Sequence, residues 1–495
     1  MTNCPKNSAL PRDFAGPIYA RWSVRLAWLA VLIAVGRVAA EPGQSVESDG
    51  RLLTAALQPS LQPLRYTTRA DDPVDDGVAR ISPWKSIPLD PVFGGEWIVA
   101  GDVDGDGEVE IVSARNHNAG DVHFTSSVVV HKLDGSVLWR WGRADPGRFL
   151  LHHDVACQVY DWDGDGDQEV IVATDQAVVE IDGASGQENR RFAIPKEASD
   201  CITFCNLTGG PRPTDILVKT RYSQIWAFNR RGEQLWVVET PGGFKTAHQP
   251  RPMDIDGDGR DEIMAGFAML NSDGTLRWAL DDKDFPQGKR LAEGHLDCAR
   301  VFSLGSSPSR TTVALTFCGA ERMALVQGDG KLLWHLPGRH FESIDVGKVC
   351  ADREGKQIVV DIPYAPRYEQ PICVFDAQGA LVGQILTDSS RFHRLVDWHG
   401  KGVESIVVGQ PPAMYDGATG RKLAVFETPA HPDSAATRVS EEEAFICFKG
   451  DMSGDGRPDI IFIDANRATV HIYKNEHGTP RDDAPLGTGV NWTLY

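Results

Sequence analysis

Apolar and polar residues alternate along most of this chain, in short runs broken by glycine and aspartate. The runs SVVVHKL, AVVEID, SQIWAFN, RMALVQ and PICVFD each lead into a turn. Before them stand more continuous apolar runs: EIVSA, EVIVAT, DILVKT, EIMAGF, QIVVDI, SIVVGQ and DIIFID. A period of two predicts strands, and the helical period is almost absent. The turns carry their own marker, a glycine with tryptophan four residues later: Gly135/Trp139, Gly232/Trp236, Gly274/Trp278 and Gly330/Trp334. Weaker copies start at Gly183, Gly379 and Gly417. Asp-Gly between alternating runs is a hairpin turn, because glycine tolerates positive φ. The repeat spacing averages about 47 residues, within the range of propeller blades. Strand sets begin near Trp97, Cys157, Ile202, Pro250, Ala299, Asp345, Leu395 and Phe445. The expected fold class is therefore all-β. It is a β-propeller over residues 89–495 with four-stranded blades, eight of them, or seven as the alternative. The repeated tryptophan reads as core between blades. Residues 41–88, rich in Pro, Asp and Arg, read as an extended arm that wraps the propeller. The tail Gly487–Tyr495, with NWTLY, reads as the last outer strand of the eighth blade.

The N-terminus changes this picture only by adding a processing segment. Arg21 and Arg25 precede the apolar run Leu26–Val35, and Val38-Ala39-Ala40 offers a small-residue cleavage site. Residues 1–40 thus read as a signal peptide, which places the protein outside the cell or in the periplasm. The run is too short to span a bilayer comfortably, and no other segment is apolar enough to do so. The formal charge of −19 over 495 residues argues against a nucleic-acid partner, whose binding rests on Lys and Arg contacts to phosphate. Eight cysteines follow Cys4: Cys157, Cys201, Cys205, Cys298, Cys318, Cys350, Cys373 and Cys447. Export permits disulfides. Several of these cysteines sit in apolar strand patterns where a buried thiol is equally expected, and none shows metal-ligand spacing.

Four repeats carry an acidic loop after the first strand. Its acids are Asp102, Asp104, Asp106 and Glu110, then Asp161, Asp163, Asp165 and Glu169. They recur as Asp254, Asp256, Asp258 and Glu262, and as Asp451, Ser453, Asp455 and Asp459. The pattern D-x-D/S-x-D-G-x-x-E/D sets oxygen ligands at positions 1, 3, 5 and 9, with a carbonyl at 7, which suits Ca²⁺. Without a cation, the clustered carboxylates would repel one another. An EF-hand is excluded by the flanking strands and by the acid at position 9 instead of 12. Calcium is the expected cofactor. The seventh repeat keeps only fragments, Asp397, His399 and Glu404. The loops resemble the calcium-binding repeats of FG-GAP and VCBS propellers, a likeness that implies fold and metal but little about function.

At the opposite end of each first strand the sequence is unusually polar. The segments hold His152, His153, Asp154, Asp200, Lys245, His248, Gln249, Glu293, His295, Asp297, Arg339, His340, Glu342, Arg391, His393, Arg394 and Glu441–Glu443. Convergent His, Arg, Lys and carboxylates near an axis form a candidate active site; a hydrophilic channel mouth is the alternative.

One stretch, from about 245 to 300, resembles the rhamnogalacturonan lyases of polysaccharide lyase family 11. It reads AHQPRPMDIDGDGRDEIMAG, LNSDGTLRW and AEGHLD, with Leu296 where that family has Gly. The resemblance implies an eight-bladed calcium-binding propeller acting on an acidic polysaccharide by β-elimination. That reaction needs a cation at the uronate carboxylate, a base for the C5 proton and an acid for the leaving oxygen. His153, Lys245, His248 and His295 are the candidate bases, Asp297 a candidate axial ligand, and Arg339, Arg391 and Arg394 candidate carboxylate partners. Two rivals stand beside this reading. One is a non-catalytic propeller that binds glycan or protein. The other is a glycoside hydrolase using two carboxylates among Asp154, Asp200, Asp297 and Glu342.

Overall fold

The computed structural model describes residues 64–495 apart from 121, 151–153, 304–309, 390, 434–444 and 483. The candidate signal peptide, residues 41–63 of the arm, His152, His153 and Glu441–Glu443 lie outside the described residues.

Eight sheets, each built on a meander of three or four consecutive antiparallel strands, form an eight-bladed β-propeller. The first strands are Trp97–Gly101, Cys157–Tyr160, Ile202–Cys205, Thr246–Met253, His295–Ser303, Ile344–Gly347, Arg394–Val396 and Phe445–Gly450. First strands of neighbouring blades touch and line the axis. Second strands such as Asp215–Lys219, Glu262–Gly266 and Gln357–Asp361 are buried at every position. Each is covered on both faces by adjacent blades, which is why it reads as a continuous apolar run. Outer strands such as Glu188–Ala193 and Gln234–Glu239 face a neighbour on one side only, and they alternate.

The glycine–tryptophan repeat is the joint between blades. The outer-strand Trp139, Trp236, Trp278 and Trp334 each lie on the turn of the following blade, at Gly186, Gly274, Gly330 and Gly379. A Cβ on any of these glycines would meet the indole within 3.1 Å, and each glycine has positive φ. The indole N–H groups donate to the same turns, at the carbonyls of Gly183, Ser272, Gly328 and Ala377. Phe192 plays this part against Gly232, and Tyr66 of the N-terminal arm fills it against Gly420.

The eighth blade departs from the sequence expectation. Its outer strand is Lys85–Pro88 from the N-terminal side, paired antiparallel with Thr469–Tyr473. The tail is not that strand. The arm also adds Tyr66–Arg69 parallel to Leu381–Thr387 in blade six and Ala79–Ile81 parallel to Lys422–Phe426 in blade seven. Closing the ring with a strand from the other end of the sequence ties the first and last blades together, with Lys85–Pro88 as a short edge strand.

The tail runs into the axial channel. Thr488 bonds Ala100, Asn491 brackets Phe204 with two bonds of 2.7 Å, and Trp492 stacks on Phe448. Thr493 Oγ1 and the Leu494 N–H donate to Asp154, which therefore holds the tail. Tyr495 ends the segment beside His248. All eight described cysteines are free thiols, and all but Cys318 are buried.

Candidate active site

The strands of blades four and five begin earlier than their apolar runs. They start at Thr246 and His295, with irregular pairing between Thr246 and Arg251 and between Leu296 and Ala299. Such bulges re-aim side chains. Here they place His248, His295 and Asp297 in one buried cluster at the axis.

Asp297 is its hub. Its Oδ1 lies 3.1 Å from His295 Nε2 and 3.3 Å from His248 Nε2, and its Oδ2 lies 3.3 Å from His340 Nε2. Burial works to raise the Asp297 carboxyl, but hydrogen bonds from His248, His295 and His340 hold it far below the usual carboxylate range. Burial drives His248 down to about 3, so this imidazole is neutral at physiological pH. Burial opposes the charging of His340 as well, yet its bonds to Asp297, Cys318 and Glu342 raise it well above an ordinary histidine. His340 Nε2 reaches Glu342 at 2.8 Å, and Glu342 reaches Arg391 at 3.2 Å. Arg391 in turn donates to the Tyr495 hydroxyl at 2.7 Å.

Three further groups come from places the sequence did not single out. Cys318 ends the second strand of blade five, close to His295 and His340. Burial alone would raise its thiol; the two histidines bring it below its ordinary value. The other deeply buried thiols, such as Cys201, Cys373 and Cys447, are pushed up to about 12 by burial. Tyr222 follows the second strand of blade three and packs on His295 at 4.2 Å. Tyr495 stacks on His248 at 4.5 Å with the rings 7° from parallel. The missed signal is topological: the turn after each second strand returns to the end where the first strand starts. Gly294 makes one such approach, since a Cβ there would sit 1.8 Å from the Cys318 carbonyl oxygen.

The other sequence candidates are distributed as follows. Lys245 is exposed at the mouth with Nζ 5.8 Å from the Tyr222 ring centre. Arg221 lies over the same ring at 4.8 Å. Arg339 is half-buried and within electrostatic reach of the Cys373 thiol. Arg394 departs from the expected carboxylate role: it stacks over Trp492, on the far side of the tail from the histidines. Asp200 is bound by Lys219, by His123 at 2.7 Å and by Arg221 at 3.7 Å. Tyr364, 69% exposed, leans on His340 at the rim.

Two kinds of donor set can take a cation. One is the axial cluster of His248, His295 and Asp297, extended by Cys318 and His340 through Asp297. The others are the acidic loops. In three of them the first, third and ninth carboxylates bring oxygens within 4.8 Å of one another. Asp102 Oδ1 and Asp256 Oδ1 are buried oxygens without a hydrogen-bond partner. The ninth-position acid accepts the N–H of position 2 in every copy: Glu110, Glu169, Glu262 and Asp459. The residues thus fit an oxygen-seeking divalent cation. Basic side chains also reach these acids: Lys132 at Asp104, Arg230 at Asp163, Arg277 at Asp256 and Lys474 at Asp455. Where the loop is absent, Asp215 and Gln357 alone fill the ninth position and accept the same backbone bonds. In blade seven, Asp397 and Glu404 bond Thr479 and the Lys348 N–H.

Comparison with known proteins agrees with this architecture. Residues 95–193, which span blades one and two, match the family described as rhamnogalacturonan lyase family 11, C-terminal domain. The resemblance read from the sequence lies further along, at 245–300. The chain is 23% identical to rhamnogalacturonan endolyase YesW of Bacillus subtilis (strain 168) over 498 residues, covering 83% of this chain and 75% of that one. The crystal structure of the exotype rhamnogalacturonan lyase YesX superposes with a TM-score of 0.59 at 19% identity, covering 82% of this chain and 83% of that one. The Vibrio cholerae biofilm matrix protein Bap1 superposes with a TM-score of 0.57 at 12% identity, covering 84% and 94%. Among the described residues no helix is long and apolar enough to cross a membrane.

Proposed function

We propose that this chain is an exported, calcium-stabilised polysaccharide lyase that cleaves a uronate-containing polysaccharide of the rhamnogalacturonan type by β-elimination at the axial cluster. The observation that carries the reading is a buried carboxylate, Asp297, ringed by three imidazoles. It lies in a scaffold like that of proteins named rhamnogalacturonan lyases.

A divalent cation held by His248, His295 and Asp297, with Cys318 and His340 beside them, would draw charge from the uronate carboxylate and so acidify the C5 proton. The chain's own residues supply the rest. Arg221 and Arg391 are cationic partners for the sugar carboxylate, Arg391 already set by Glu342 and Tyr495. Lys245, at the mouth, is the side chain free to move a proton, taking it from C5 or passing it to the glycosidic oxygen at C4. The C4–O bond breaks, a C4=C5 double bond forms, and the leaving oxygen takes a proton. Tyr222 and Tyr364 give sugar rings an aromatic wall. The hydrolase alternative is less well served by its four carboxylates. Asp297 is held below the usual range, against burial, by hydrogen bonds from its histidines, and Asp200 chiefly by Lys219; Asp154 is engaged by the tail, and Glu342 is paired with His340 and Arg391.

The stacking of Tyr495 on His248 favours one second reading, an axial site that binds glycan without turnover. The test is incubation with rhamnogalacturonan, polygalacturonate and algal polyuronides while ultraviolet absorbance of unsaturated products is followed. A rise with rhamnogalacturonan supports the lyase. A flat trace across the panel together with retained glycan binding supports the binder.

A further inference from the structure

Behind the tail, toward the end of the axis that carries the acidic loops, lies a cavity of about 430 Å³. Four cationic side chains line it, Arg251, Arg300, Arg394 and Lys449, against one lining carboxylate, Asp345. In a chain of net charge −19 this is a local reversal of sign. Its cations are unequally satisfied. Arg251 and Arg300 both donate to the main-chain oxygen of Tyr495. Arg394, only 4% exposed, donates to the His393 carbonyl, and its Nη2 has no hydrogen-bond partner. Lys449 Nζ makes one bond, 2.8 Å to the Leu395 carbonyl. Asp345 is within electrostatic reach of Lys449, Arg394 and Arg300, the last at 3.9 Å; Asp154 lies within reach of Arg251 and Arg300, and Glu404 of Lys449. Crowded cations are costly away from bulk water unless paired and hydrogen-bonded. A planar guanidinium beside an ammonium, both with unused donors, matches an oxyanion.

We infer that this cavity is a second, anion-binding site, separate from the histidine cluster. It takes a small ligand through a carboxylate, sulfate or phosphate group held between Arg394 and Lys449. Its volume admits a molecule of sugar-acid size, and Trp492 beneath Arg394 supplies an apolar wall.

The test is isothermal titration of the full chain with inorganic phosphate, sulfate and galacturonate at low and high ionic strength. Saturable binding is expected for at least one of the three, weakening as salt rises. Binding of galacturonate alone identifies a sugar acid; binding of phosphate or sulfate identifies an inorganic oxyanion. Lys449→Gln and Arg394→Gln are each expected to weaken binding ~10-fold, and Asp345→Asn to tighten it. Lys449 is half-buried, so its variant keeps the test open should the buried Arg394→Gln fail to fold. No saturable binding of any of the three anions overturns the inference, as does an affinity unchanged by Lys449→Gln.

Discussion

At the residue scale the chemistry rests on which side chains Asp297 gathers and which it leaves free. His248→Ala removes a neutral donor from the cluster. It is expected to lower kcat ~10²-fold by weakening the hold on a cation while changing KM little, because His248 is buried. Lys245→Ala is expected to cut kcat to a similar degree, and Lys245→Arg to restore little of it, since an arginine does not give up its proton. Initial rates over a range of polymer concentrations separate the two parameters; a rise in KM alone for both variants would mark them as binding residues. Most of this cluster was legible in the sequence, because His248, His295, Asp297, His340 and Glu342 all stand where first strands begin. Cys318, Tyr222 and Tyr495 were not. They reach the axis from turns after second strands and from the tail, and only the closed topology brings those places together.

At the element scale the ring depends on joints and on its seam. Trp278→Ala vacates the face of Gly330 and its bond to Gly328. A cost of about 3 kcal/mol is expected, read as a lower urea midpoint with unchanged slope. The seam carries two buried histidines on third strands. His471 bonds Ser86 of the closing strand at 2.9 Å, and His131 accepts the Asp90 N–H at 3.2 Å. Burial lowers both to about 4. A depressed histidine stays neutral in the fold while the unfolded chain takes up protons below about pH 6.5. Stability is therefore expected to fall as pH drops from about 6.5 toward 4, by roughly 1–2 kcal/mol per histidine. Denaturation at pH 7 and pH 5 checks this, and His471→Gln should shrink the difference between the two. The blades were readable in advance because Asp-Gly turns and alternation recur in register. The closing strand was not: Lys85–Pro88 is four residues long, ends in proline and lacks an alternating run, so its pairing is decided by the vacancy beside Thr469–Tyr473 rather than by its own pattern. NWTLY has better strand propensity, yet the tail is drawn inward by Asp154, Arg251 and Arg300.

At the scale of the whole molecule, acidic loops recur on blades one, two, four and eight, at the end of the axis opposite the histidine cluster. With calcium bound there, removal by a chelator is expected to lower Tm by about 10 °C, restored by calcium in excess of the chelator. An unchanged Tm would leave Lys132, Arg230, Arg277 and Lys474 as the partners of these carboxylates. The division of the axis is the larger point: the tail separates a histidine–carboxylate cluster from a cationic cavity, so each end can engage a different ligand. The most direct test of the catalytic assignment compares unsaturated-product release from rhamnogalacturonan by the unaltered chain and by Asp297→Ala, with folding of both verified by circular dichroism. Steady release by the unaltered chain and its loss in the folded variant is the expected result. Equal release by both proteins, or none by either, would contradict an axial lyase site.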